Sequence, residues 1–268
     1  MTNSPVVKIC AKKDITDITV SKGMLFFVTD DRFLYKYENG KMSSQEIKLD
    51  LKETDDAGGQ LTPFLTANEE SLIVYDDSNK VMVFDFNLNF LRYLPIEEAY
   101  GFKYLVKNRL FYSQFSEKSY TSVLSVYDIK LGKTVFAKQF SSKFYLIEFL
   151  FFAGIYYLKL RDLGTVHTKL VVMNSEFREI AGDRNIVRLF NMEKIESLFV
   201  YRGEVYYVKK QLDKDRNEEF LLYQLHLQGT QDRLIKKIGQ NMPYLFTVVE
   251  NKLYFYEYGV GLYYTTLN

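Results

Sequence analysis

Nucleophilic and acid–base catalysis near neutral pH draw first on histidine and cysteine, and this chain has two histidines, His167 and His226, and one cysteine, Cys10. It contains no G-x-S-x-G elbow, phosphate-cradling glycine loop, dinucleotide fingerprint or multi-cysteine zinc spacing. Cys10 reads as a small apolar residue on a strand. His226 falls in an inferred strand. His167 falls in an inferred turn, where it suits a contact role. Asp17, Lys103, Glu148 and Glu196 interrupt otherwise apolar strand segments, and they are the groups a site of converging polar residues would use. The acidic pairs Asp30-Asp31, Asp55-Asp56 and Asp76-Asp77 suit turns, because Asp bonds its own backbone and tolerates unusual dihedrals. No D-x-D-x-D-G run supplies calcium ligands at loop spacing, so neither a metal nor a cofactor is predicted.

The elements that carry these residues are strands. The 268 residues include 22 Tyr and 22 Phe, and 47% of the chain is hydrophobic, a composition suited to pleated, half-buried segments. A net charge of +1 gives no broad electrostatic footprint for nucleic acid. A single cysteine excludes an internal disulfide. No apolar run is long enough to cross a bilayer as a helix, and no secretory leader is evident, so an intracellular protein, cytoplasmic or nuclear, without membrane insertion is expected.

One pattern recurs: an aliphatic residue followed by aromatic or β-branched ones, just after a short polar turn. Its aliphatic positions are Leu25, Leu72, Leu110, Ile155, Val205 and Leu253, separated by 47, 38, 45, 50 and 48 residues. Repeats of roughly 40–50 residues with four strands each are the signature of propeller blades. Strand candidates flank every position, as at Ile15–Val20, Phe33–Tyr37 and Ser44–Leu49 in the first repeat. The last repeat lacks an outer strand, whereas Val6–Ala11 precedes the first. The expected fold is therefore an all-β, six-bladed β-propeller of four-stranded antiparallel blades, its ring closed by the N-terminal strand. Seven degenerate blades are the alternative. Residues 50–60 are expected to form a long surface loop. Residues 183–194, with Ile186, Val187, Leu189 and Phe190, suit one or two helical turns, an irregular loop or a seventh blade.

Val126-Tyr127-Asp128-Ile129, followed by Lys130-Leu131-Gly132-Lys133, resembles the end of a WD40-type repeat, with Tyr in place of Trp. Val83-Phe84-Asp85-Phe86 echoes it, and the Gly-His dipeptide of that family is missing. The resemblance implies a propeller and an interaction role, and Asp128 a turn-stabilising part.

In such a ring the turns between second and third strands share a face with the connections between blades. That places Asp30, Asp31, Asp55, Asp56, Asp76 and Asp77 in one sector, suited to a basic partner. The longer turns of repeats three to five bring Lys118, Tyr120, Arg161, His167, Lys210, Lys214 and Arg216 to the same face, where extended loops on a stiff disc favour recognition. The expected function is a non-catalytic scaffold or subunit of a multi-protein complex, with other proteins as partners. A propeller hydrolase or lyase with a central-channel site is one alternative. An RNA- or ribosome-associated factor, and so a ribonucleoprotein partner, is the other.

Overall fold

The computed structural model describes residues 6–12, 14–48, 63–75, 80–96, 99–116, 120–165, 167–228, 231–239 and 243–267. The chain forms six antiparallel sheets in a ring, the six-bladed β-propeller expected from the repeat. Strand β1 (Val7–Cys10) comes first and is held in reserve for the last blade. Blade one is β2 (Ile15–Ser21), β3 (Met24–Thr29), β4 (Phe33–Glu38) and β5 (Lys41–Glu46). Blade two is β6 (Phe64–Ala67), β7 (Leu72–Tyr75), β8 (Val81–Phe84) and β9 (Phe90–Leu94). Blade three follows as β10 (Ala99–Val106), β11 (Arg109–Ser116), β12 (Thr121–Asp128) and β13 (Lys133–Phe140). Blade four has only β14 (Phe144–Phe152), β15 (Ile155–Asp162) and β16 (Thr168–Met173), after which the chain forms helix α1 (Arg184–Asn191). Blade five is β17 (Ile195–Tyr201), β18 (Glu204–Leu212), β19 (Glu218–Gln224) and β20 (Arg233–Gly239). Blade six is β21 (Pro243–Val249), β22 (Lys252–Glu257) and β23 (Gly261–Thr266), completed by β1 on its outer edge.

The burial pattern explains the sequence pattern. A second strand lies between two others and between two neighbouring blades, so both faces need apolar residues. All six residues of β3 and all four of β7 are buried, whereas every residue of the outer strand β5 is exposed. Leu25 and Phe27 face blade six, and Phe26 and Val28 face blade two. The core is correspondingly divided into six clusters, one in each seam between neighbouring blades. In blades one, four and five a two-residue turn of left-handed backbone joins the first strand to the second, as at Arg202 (φ 51°) and Gly203 (φ 75°).

Closure depends on one glycine. Tyr263 pairs with Lys8 and Leu262 with Cys10 across a register break, and a Cβ on Gly261 would stand 2.3 Å from the Cys10 carbonyl oxygen.

Two expectations change, and at 183–194 the helical alternative is borne out. The outer strand that a four-stranded blade four requires is reduced to a single bridge between Met173 and Glu179. Residues 183–194 form neither a loop nor a seventh blade. Asp183 accepts from the N–H groups of Asn185 (2.8 Å) and Ile186 (3.2 Å) and so caps α1, whose Ile186, Leu189 and Phe190 fill the seam between blades four and five. His226 lies past the end of β19, exposed in a turn, with its N–H donating to Asp232 (3.3 Å). The loop expected at 50–60 lies outside the described residues.

Candidate functional site

Turns between second and third strands share one face with the starts of the inner strands. Hydrogen bonds show this in three blades: Asp30 N–H to Asp14 O (3.0 Å), Leu163 N–H to Lys143 O (2.9 Å) and Lys210 N–H to Lys194 O (2.9 Å). On blade one the carboxylates of Asp30 and Asp31 are joined by that of Asp14, all within 4.8 Å of one another. Burial and the charges of Asp14 and Asp31 raise the Asp30 carboxyl above its ordinary value. The hydroxyl of Thr29 donates to Asp31. Asp14 escapes a reading of the sequence because it stands alone there, 16 residues from Asp30, and the pairing of Ile15 on β2 with Thr29 on β3 brings it across. Asp55, Asp56, Asp76 and Asp77 lie outside the described residues, as does Lys118.

The hairpins of blades three to five are each held by a defined device. On blade three the exposed ring of Tyr120 and the ring of Phe115 both lie 4.4 Å from the Lys143 ammonium. Asp162 Oδ1 on blade four accepts from Gly164 (2.8 Å) and Thr165 (3.1 Å), which closes the turn that presents His167. Asp213 Oδ1 on blade five accepts from Asp215 (2.9 Å) and Asn217 (2.8 Å), and Arg216 takes a left-handed conformation (φ 64°) at that tip. Arg161, His167, Lys214 and Arg216 are exposed. Lys210 is not a free cation: it is half-buried and paired with Glu218 at 2.5 Å. The structure adds a feature the charges hid. Tyr120 (66% exposed), Leu163 (54%), Leu212 (56%) and Tyr258 (72%) put one large apolar side chain on the hairpin of each of four consecutive blades.

The face surrounds a central channel of about 500 Å³ lined by the inner strands. Asp17, Lys103, Glu148 and Glu196 all line it, as a channel site would require. Five of the six inner strands break register against their partner: β2 after Ile15, β10 after Tyr100, β14 after Leu146, β17 after Ile195 and β21 after Tyr244. In three of these blades the next residue in register, Asp17, Glu148 or Ser197, is polar and lines the channel.

Two of the channel groups, Asp17 and Lys103, link neighbouring blades, and Glu148 pairs within its own blade. Asp17 Oδ1 accepts from Ile18 N–H and Oδ2 from Leu65 N–H on blade two, both at 2.8 Å. Burial raises its carboxyl to about 7, against the pull of those two bonds. Lys103 is buried with its ammonium 4.0 Å over the Tyr75 ring, while the Tyr75 hydroxyl accepts from Lys103 N–H (2.9 Å) and donates to its carbonyl (3.3 Å). Burial also raises Glu148, which Lys159 opposes from 3.6 Å; Lys159 in turn donates to Phe190 O at 2.8 Å.

On the opposite face, Asp128 Oδ1 accepts from Lys130 (3.0 Å) and Leu131 (2.9 Å), and Asp85 Oδ1 from Asn87 (2.8 Å) and Asn89 (2.9 Å). Both serve the turn-stabilising part that the repeat resemblance implies.

Comparison with solved structures places the fold among β-propellers that include WD40 proteins. The RRP9 WD40 repeats superpose with a TM-score of 0.62 at 9% identity, covering 99% of each chain, and U3-55K with 0.60 at 10% identity, covering 98% of each. Virginiamycin B lyase from Staphylococcus aureus, in a catalytically inactive H270A form with quinupristin, superposes with 0.54 at 10% identity, covering 98% of this chain and 99% of that one. No protein-family model matches the chain, and a search of curated proteins finds no significant relative. Among the described residues, no helix is long and apolar enough to cross a membrane.

Proposed function

We propose that this chain is a non-catalytic protein-interaction scaffold, working in the cytoplasm or nucleus and binding partner proteins through the loop face. The observation that carries the reading is the run of exposed apolar residues on consecutive hairpins, Tyr120, Leu163, Leu212 and Tyr258, interleaved with Lys143, Arg161, Lys214 and Arg216. Aromatic and aliphatic anchors ringed by charge are what a protein interface uses. The acidic trio on blade one gives the same face a second polarity, which would orient a partner with a basic end. The similar folds cannot choose the function, since the same architecture carries both WD40 repeats and a lyase.

The test compares wild-type protein with a Tyr120→Ser, Leu163→Ser, Leu212→Ser variant as bait in the native source, with quantitative identification of co-purifying chains. Recovery of a specific partner should fall about tenfold or more while thermal stability is retained. Partners retained in full by the variant would sink the reading.

A channel enzyme is the second reading, favoured by one observation: a carboxyl near 7 at Asp17 beside Lys103 and Glu148 in one cavity. Turnover of any substrate that vanishes in Glu148→Gln while partner binding persists would support it over the scaffold.

A further inference from the structure

Among the described residues blade four is the one sheet with three strands, and what it lacks can be read from its edge. On the outer side of β16, Ile180 N–H donates to Val172 O and Asn174 N–H to Arg178 O, both at 3.0 Å. On the inner side, Asp162 N–H donates to His167 O at 3.0 Å. In an antiparallel ladder these alternate, so Thr168 and Leu170 turn their N–H and C=O groups outward, beyond the point where the 177–180 segment stops pairing. The chain then leaves the edge. A Cβ on Gly182 would stand 2.7 Å from the Tyr157 ring, Asp183 N–H donates to the Tyr157 hydroxyl at 3.1 Å, and α1 begins. Among the described residues no backbone pairs with the outer edge along Thr168–Leu170.

The two flanks of this edge differ. On the side of blade five, Leu170 and Val172 pack with Val187 of α1. On the side of blade three, the Lys169 ammonium lies 5.3 Å from the centre of the Phe140 ring and that of Lys138 5.8 Å from it. Lys138 is paired with Glu179, and Lys169 has no carboxylate within 4.0 Å among the described residues. A strand whose side chains alternate would meet apolar residues on one face and cations on the other.

We propose that this edge takes an extended segment of a partner protein, apolar and acidic at alternate positions, as the fourth strand of blade four. Main-chain bonds to Thr168 and Leu170 would supply affinity and the alternation would supply register. The site is on the rim and does not depend on the loop-face reading.

The test uses a labelled synthetic peptide of alternating Val and Glu, its Val–Lys counterpart, and a Val–Glu peptide N-methylated at alternate amides. Fluorescence anisotropy should show the Val–Glu peptide binding about tenfold more tightly than the Val–Lys peptide, with that preference reversed in Lys169→Glu. N-methylation along the edge-facing side should abolish binding, and amide exchange should slow at Thr168 and Leu170. Equal affinities, no binding, indifference to N-methylation, or protection at another edge would overturn the proposal. Concentration-dependent protection of Leu170 without peptide would overturn it too, assigning the edge to a second copy of this chain.

Discussion

The carboxylate of Asp17, on β2 of blade one, accepts the backbone N–H of Leu65, on β6 of blade two, at 2.8 Å. A bond from a side chain of one blade to the inner strand of the next recurs around the channel. Ser113 accepts from Leu146 N–H (2.7 Å) and the Tyr104 hydroxyl donates to Ile147 O (2.9 Å), both from blade three to blade four. The Asp17 bond is the one whose strength depends on pH.

Its folded carboxyl titrates at about 7 against an ordinary 3.8 because it is buried. The folded state therefore keeps the proton after the unfolded state has lost it. The contribution to stability is largest below about pH 4, declines as pH rises to about 7 and is flat above, with a ceiling of roughly 4 kcal/mol. Glu148, also raised by burial, acts in the same direction. Urea unfolding of wild type and Asp17→Asn between pH 4 and 8 should give a difference that varies with pH over this window. A constant difference would place the carboxyl at its ordinary value.

Gly261→Ala should loosen ring closure. The new Cβ meets the Cys10 carbonyl oxygen at 2.3 Å, with φ at +144°, and the expected loss is about 1–3 kcal/mol. Gly154→Ala is the control: its φ is +80° but nothing lies within 4 Å, so only the dihedral cost of about 1 kcal/mol applies. Amide exchange of β1 should quicken in the first variant and not in the second.

Phe190→Ala empties the seam between blades four and five, where the ring is 1% exposed and stacks 6.1 Å from Tyr157. A loss of about 3–5 kcal/mol is expected by chemical denaturation. Asp183→Ala, which removes only the helix cap and leaves the seam filled, should cost about 1 kcal/mol.

Asp232→Ala should remove a polar tie between α1 and blade five while the apolar seam stays filled. The carboxylate accepts from Arg188 Nη2 (2.9 Å to Oδ2) and the Tyr207 hydroxyl (2.8 Å), and it holds the His226 turn. Burial opposes its ionisation, but the Tyr207 and Arg188 bonds prevail and keep it below the usual carboxylate range. Its contribution is thus present at neutral pH and lost as pH falls through that lowered value. About 2–3 kcal/mol should disappear at pH 7 and less at pH 3, measured by thermal melts at both.

The aliphatic positions from Leu25 to Leu253 made the blades legible because a second strand must be apolar on both faces, and that demand leaves an unbroken mark. The helix was half legible, since Ile186, Leu189 and Phe190 lie at helical spacing while the seam they fill is set by distant strands. The bridge at Glu179 was not legible. Phe177 is apolar because it stacks on Phe136 and Tyr156, so it looked like part of a strand. At the candidate face, the charged hairpin residues could be placed from turn chemistry alone. The exposure of Leu163 and Leu212 could not, because an apolar residue in a sequence carries no sign of whether anything covers it.

Pairing of β1 with β23 also sets a timetable. Val7 meets Tyr264, so its partner is made some 250 residues later. At about 5–20 residues per second that delay is roughly 13–50 s, far longer than a hairpin needs to form. During synthesis the early blades can fold in turn. Until β23 emerges, the apolar seam between blades six and one stays open to whatever the nascent chain encounters, which makes this interval the one in which a chaperone would matter most.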